Sequence, residues 1–227
     1  MRFRVEPGPR GNWRVMLEGA DAPLSEHDTE EEAQERLASY ARGVAAASAP
    51  TVETGIARGE RVRVRDGSEI IIRAVTAEDK ALLLAGWERL GEASRYRRFM
   101  AAKRNLSVAE LAYFTEVDHV CHEAIGAIDP ATGAGAGIAR WIRPEPGSDT
   151  AEVAIVIADE WQGRGVGAAL LSALAERART AGITEFTASQ LSDNRAMLTL
   201  FEHIGKVTIE HVDGPALFLR IALTTAC

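Results

Sequence analysis

Asp159-Glu160-Trp161-Gln162-Gly163-Arg164-Gly165-Val166-Gly167-Ala168 follows an apolar run, Val153-Ala154-Ile155-Val156-Ile157, and opens a helical pattern near Val166. A strand, a glycine-rich turn and a helix in that order aim unpaired backbone N–H groups and a positive helix end at one point. Such a point binds phosphate. Glycine lets the backbone approach the anion because no Cβ intervenes, and Arg164 is placed to add a charged contact. A P-loop would end this turn in Gly-Lys-Ser/Thr, which is absent. Gly163, Gly165 and Ala168 fit the form of a dinucleotide fingerprint. Its acidic partner is not clear, because the next strand, Glu185 to Gln190, ends in Ser189-Gln190 with Asp193 only beyond it. A purely structural turn needs fewer than these three glycines.

The loop Gln162-Gly163-Arg164-Gly165-Val166-Gly167 resembles the acetyl-CoA pyrophosphate loop of the GNAT N-acetyltransferases, Q/R-x-x-G-x-G/A. One strand later, Ser192-Asp193-Asn194-Arg195-Ala196-Met197-Leu198-Thr199-Leu200-Phe201-Glu202-His203-Ile204-Gly205 resembles the family's S-x-N-x-x-A-x-x-L-Y-x-x-x-G. The resemblance runs from Glu60 to the C-terminus. It implies an α+β fold with a mixed, mostly antiparallel sheet flanked by helices. It also implies acetyl-CoA as donor and direct transfer of the acetyl group to a primary amine, on a protein lysine or a small molecule, without an acyl-enzyme.

The same resemblance assigns roles. Gln162, Gly163, Arg164, Gly165, Val166, Gly167 and Ala168 would hold the pyrophosphate. Ala154, Ile155, Val156 and Ile157 would pair with the pantetheine arm as an added strand, an N–H near Ile155 or Val156 donating to the oxyanion. Asn194, Arg195, Met197 and Phe201 would reach the cofactor, Arg195 at the 3′-phosphate. Asn194 reads equally well as a helix N-cap, and Arg195 as a solvated side chain. Several GNAT lysine acetyltransferases carry a glutamate where Glu152 stands, which makes Glu152 the first candidate base. Glu123 is the second, since a glutamate inside an apolar strand is paired, at an edge or functional. The family's usual tyrosine, which protonates the departing thiolate, falls at Phe201, which has no donor. Tyr96 and Tyr113 are candidate substitutes. Arg95, Arg97 and Arg98 lie where GNATs form the acceptor side, and read either as an anion site or as a solvated basic face.

The rest of the chain bounds these readings. A net charge of −7 gives no basic surface for nucleic acid. The two cysteines, Cys121 and Cys227, form no disulfide framework or CxxC pair, which suits a reducing cytoplasm. Neither a signal region nor a membrane span is expected. His119, Cys121 and His122 lack a further ligand set, so no metal is expected.

Residues 1–45 read as a small α+β unit, with strands at Phe3–Glu6 and Trp13–Leu17. A helix opened by Thr29 and Glu32 then runs to about Arg42, with Gly43 as its stop. Its His27-Asp28-Thr29-Glu30-Glu31-Glu32-Ala33 start resembles a small bacterial domain family of unknown function. Too small to bury much core alone, it is expected to dock on the larger domain or on a second subunit, as in a homodimer. Residues 46–59 read as a linker and 60–227 as the transferase domain. An acyl-CoA-binding sensor with little turnover would carry the same loop.

Overall fold

The computed structural model describes residues 3–9, 11–17, 23, 25–46 and 59–224. The side chain of Tyr40, residues 47–58 of the expected linker, and Cys227 lie outside the described residues.

At the N-terminus, β1 (Phe3–Pro7), β2 (Trp13–Leu17) and β3 (Ser25–His27) form an antiparallel sheet in that order. A capping box opens α1 (Glu30–Ala46): the Glu32 N–H donates to Thr29 Oγ1 at 3.2 Å, and the Thr29 N–H to Glu32 Oε2 at 3.3 Å. The sequence reading missed β3 and stopped the helix too early. Gly43 weakens a helix by only about 1 kcal/mol, and alanines follow it.

The larger unit has eight strands. These are β4 (Glu60–Arg63), β5 (Glu69–Ala74), β6 (His122–Ile128), β7 (Gly135–Ile142), β8 (Thr150–Ile157), β9 (Glu185–Leu191), β10 (Gly205–Asp213) and β11 (Ala216–Leu223). Their order is β10-β11-β9-β8-β7-β6-β5-β4. Between β5 and β6 run α2 (Lys80–Arg89), α3 (Glu92–Phe99) and α4 (Val108–Thr115); α5 (Val166–Thr180) links β8 to β9, and α6 (Arg195–Ile204) links β9 to β10. Strand alternation splits the core between the sheet's two faces. Val153, Ile155, Ile125 and Trp141 pack with Leu170, Leu171 and Leu174 of α5. On the other face, Val156 packs against a cluster containing Leu84, Trp87, Leu111 and Phe114. Val15 and Ala33 of the N-terminal unit are buried in that same cluster, which seats the small unit on α2.

One irregularity decides where a ligand can enter. Strands β8 and β9 are the parallel pair, and they are joined only at Thr150↔Glu185, Ala151↔Phe186 and Glu152↔Thr187. Beyond Glu152, β8 continues to Ile157 and β9 to Leu191 without pairing. The strands part and leave a slot. On its other edge β8 stays paired to β7 as far as Gly137↔Ile157.

Candidate functional site

Backbone chemistry sets up the slot. The Ala158 N–H donates to the Ala136 carbonyl at 3.0 Å. In an antiparallel ladder, alternate residues bond the same neighbour. Ala154 and Val156 therefore bond β7, while Val153, Ile155 and Ile157 turn their N–H and C=O groups into the slot. The sequence reading left Ile155 and Val156 as equal candidates for the oxyanion donor; the ladder gives Ile155 the free N–H.

At the end of the slot the chain makes a 3-10 turn, Asp159–Trp161, and then the glycine loop. Gly163 and Gly165 have φ of +70° and +102°, a region that side chains disfavour. Gly165 is the N-cap of α5 and supplies no capping side chain. The N–H groups of Val166, Gly167 and Ala168 therefore keep their outward valence. Space also requires glycine at Gly165, where a Cβ would lie 2.8 Å from the Arg65 nitrogen.

Residues distant in sequence brace the loop. The Arg65 guanidinium donates to the Gly163 carbonyl. Arg164 turns back onto the β4–β5 hairpin, donating to Asp66 and Ser68 with its guanidinium 4.2 Å over the Trp161 ring. Its charge is thus committed within the protein, where the sequence suggested a contact with phosphate. The Arg164 hydrogen bond, aided by the Ser68 N–H, holds the Asp66 carboxyl down at about 2. A depressed carboxylate pKa contributes above the ordinary carboxylate range and is lost as pH falls through the folded value. We therefore expect Asp66→Asn to weaken acetyl-CoA binding by roughly two- to five-fold, as suits an exposed pair. Calorimetry should give the same ratio at pH 6 and pH 8.

Gln162 locks the loop from the other side. Its Nε2 lies 3.0 Å from Ser94 Oγ, 3.0 Å from Asp159 Oδ1 and 3.1 Å from the Ile157 carbonyl. Asp159 in turn accepts from the Gly91 N–H at 3.0 Å and Ser94 Oγ at 2.6 Å. These bonds tie the loop to the start of α3.

In the second motif, Asn194 Oδ1 accepts from the Met197 N–H at 3.3 Å and so caps α6. Arg195 is exposed and Met197 half-buried beside the core. Phe201 is only 2% exposed and belongs to the core under α5, so this position supplies packing.

The two candidate bases fall on opposite faces of the sheet. Glu152, the last β8 residue paired with β9, is exposed on the face of Ala154 and Val156, within electrostatic reach of Arg98. Glu123 points to the α5 face, with Oε1 3.0 Å from His119 Nδ1 and 3.4 Å from Arg177 Nη1, and takes the Ala124 N–H at 3.0 Å. These partners account for the burial of Glu123 and hold it on the face opposite Glu152. Tyr96 and Tyr113 are both exposed. Arg95 is structural, donating to the Trp87 and Arg104 carbonyls. Among the described residues, no three His, Cys, Asp or Glu side chains are grouped to hold a metal.

Sequence reasoning missed Arg140. Buried on β7, it donates from Nη1 to His122 Nε2 at 3.0 Å and from Nη2 to the Phe114 carbonyl at 3.3 Å. Burial, with Arg140's charge beside it, pushes the His122 ring down to about 4. The neutral ring is then the folded form, and stability falls as pH drops below the unfolded value of about 6.5 toward 4. In an NMR titration His122 should stay neutral through pH 5.5; a midpoint near 6.5 would contradict this geometry.

Residues 69–207 match the acetyltransferase (GNAT) domain family. The chain belongs to the GNAT acetyltransferases. The acetyltransferase Pat of Mycolicibacterium smegmatis is 33% identical over 148 residues, covering 65% of this GNAT chain and 44% of that protein. The chain thus matches less than half the length of that relative. The acetyltransferase PA5475 of Pseudomonas aeruginosa is 31% identical over 145 residues, 63% of this chain and 77% of that protein. The GNAT domain of S. lividans PAT superposes with a TM-score of 0.67 at 31% identity, over 73% of this chain and 97% of that one. A cAMP-binding acyltransferase from Mycobacterium smegmatis gives a TM-score of 0.55 at 26% identity, over 87% of this chain and 54% of that one.

The GNAT domain implies acetyl-CoA as donor and retires the dinucleotide reading. The residues present suit that donor: free amides at the head of α5, a glycine cradle that a Cβ would fill, and an unpaired strand edge running from the loop to Glu152. Among the described residues, no helix is long and apolar enough to cross a membrane.

Proposed function

We propose that this GNAT enzyme transfers an acetyl group to a primary amine, on a protein lysine or a small molecule, by direct attack, with Glu152 as the general base. The observation that carries the reading is Glu152 standing where β8 and β9 part, at the mouth of the slot that leads to the glycine loop. Bound acetyl-CoA supplies the acetyl group as a thioester, activated for attack. The amides of Val166, Gly167 and Ala168 hold its pyrophosphate, and the slot edge of β8 pairs with its arm.

An ammonium with a pKa near 10.4 reaches its neutral form at pH 7 at a cost of about 4.6 kcal/mol. Glu152 offsets this by taking the proton from the amine nitrogen, directly or through one water. The Ile155 N–H donates to the carbonyl oxygen as negative charge gathers there. With Phe201 in the core, no side chain is assigned to protonate the thiolate; its parent pKa of about 8.5 makes it a competent leaving group unaided. The cytoplasm, where Cys121 stays reduced, is the compartment we assign.

The test is free CoA released from acetyl-CoA by the purified chain, with pooled lysine peptides, proteins, polyamines and amino acids against a no-acceptor control. Acceptor-dependent release is the expected result. Binding of acetyl-CoA with no release in any pool would favour the sensor alternative and overturn the transferase reading.

A further inference from the structure

One cavity lies between the β5–β8 face of the sheet and the helices α2, α3 and α4. Its volume is about 100 Å³, and three arginines line it: Arg73, Arg98 and Arg140. Most of the remaining lining is apolar, including Phe99, Phe114, Ala154 and Val156. The three arginines differ in their partners. Arg73 is neutralised by Asp79, with two hydrogen bonds of 2.6 and 2.7 Å. Arg140, only 4% exposed, has the neutral partners His122 and the Phe114 carbonyl, and stacks 4.5 Å over the Phe114 ring. Arg98, half-buried, packs 4.8 Å over the Phe99 ring. Among the described residues, neither Arg98 nor Arg140 has a carboxylate within the 4.0 Å of an ion pair, whereas Arg73 does.

The two free charges also oppose each other. Burial, and then the charge of Arg98, push Arg140 down to about 9, and burial lowers Arg98 as well. Two guanidiniums facing one apolar cavity without a counter-ion carry a standing desolvation cost, which a bound anion relieves. Their planar forks match a carboxylate. The carboxylate acting on Arg98 is that of Glu152, on the same sheet face as the lining residues Ala154 and Val156, and it is the residue assigned to deprotonate the amine. A space near 100 Å³ suits a small molecule, and a lysine side chain brings no anion to its tip.

We propose that Arg98 and Arg140 form a carboxylate-binding subsite, and that the acceptor is a small amino acid whose amine faces Glu152 and whose carboxylate lies between the two guanidiniums. This rests on the transferase reading but is separable from it, because binding is measured without turnover.

The experiment is calorimetric titration of the full chain, with CoA present, by the common amino acids and by their carboxamides. At least one acid should bind ten-fold or more tightly than its amide. Arg98→Gln should remove that preference while leaving acetyl-CoA affinity unchanged. Arg98 is chosen because it is less buried than Arg140 and lies near the end of α3, whereas Arg140 variants risk the fold. Equal binding of every acid and its amide, or a preference that survives Arg98→Gln, would overturn the proposal. A second arm compares succinyl-CoA with acetyl-CoA at a neutral amine acceptor. An Arg98-dependent preference for succinyl-CoA would place the carboxylate on the donor and overturn the amino-acid acceptor. Acid-selective binding with no CoA release would leave the subsite standing while the transferase reading fails.

Discussion

Glu152→Gln should lower kcat by about a hundred- to ten-thousand-fold, the range for loss of a positioned base, and leave acetyl-CoA affinity unchanged. The split follows from placement. Glu152 lies at the last position of β8 paired with β9, before the free edge that meets the donor, and its side chain is exposed on the sheet face of Ala154 and Val156. Glutamine keeps the shape and much of the hydrogen bonding but cannot take a proton. The amine must then arrive already neutral, so the variant's rate should climb with pH in step with the free-amine fraction. Steady-state kinetics across pH 6 to 10, paired with calorimetry for acetyl-CoA, reads both quantities. An unchanged kcat would remove Glu152 from the role. Lost acetyl-CoA affinity would instead make it a structural residue of the slot.

Gly165→Val should weaken acetyl-CoA binding by about a hundred-fold, an effect of roughly 3 kcal/mol. Two costs add. At φ +102° any side chain is disfavoured, by about 1–2 kcal/mol even before β-branching is counted. The new Cβ would also lie 2.8 Å from the Arg65 nitrogen and 2.9 Å from Arg65 Cβ, a clash with backbone that no rotamer relieves. The β4–β5 hairpin or the loop must move, and with it the amides at the head of α5. Gly163→Ala is the internal control. It shares a positive φ of +70° but meets nothing within 4 Å, so only the conformational cost applies, roughly ten-fold. A thermal melt confirming that both variants fold makes the comparison one of binding alone.

The parts of this account legible in the sequence are those written in local chemistry. The Thr29–Glu32 capping box opens α1 as its spacing implied, with the Thr29 N–H donating to Glu32 Oε2 at 3.3 Å. Asp66-Gly67 turns the β4–β5 hairpin, with Gly67 at φ +88°. The glycine loop announced itself because strand, turn and helix are contiguous. What stayed hidden depends on partners far along the chain. Arg164 was free to be read as a phosphate contact because Asp66 and Ser68 lie nearly a hundred residues away. Arg140 looked like one more residue of an alternating strand, since nothing local shows it lacks a carboxylate. Glu123 stood out as a charge in an apolar run, yet its partner Arg177 comes from a helix that follows two strands later. Ladder parity, which separates Ile155 from Val156, becomes visible only once a neighbouring strand is in register.

The most direct test of the central assignment is an amide-resolved NMR titration of the ¹⁵N-labelled chain with acetyl-CoA. The account predicts the largest shifts at Ile155, on the free edge of β8, and across Gly163 to Ala168, in the loop and first turn of α5. Shifts confined to other surfaces, with Ile155 and Val166 to Ala168 unmoved, would contradict it.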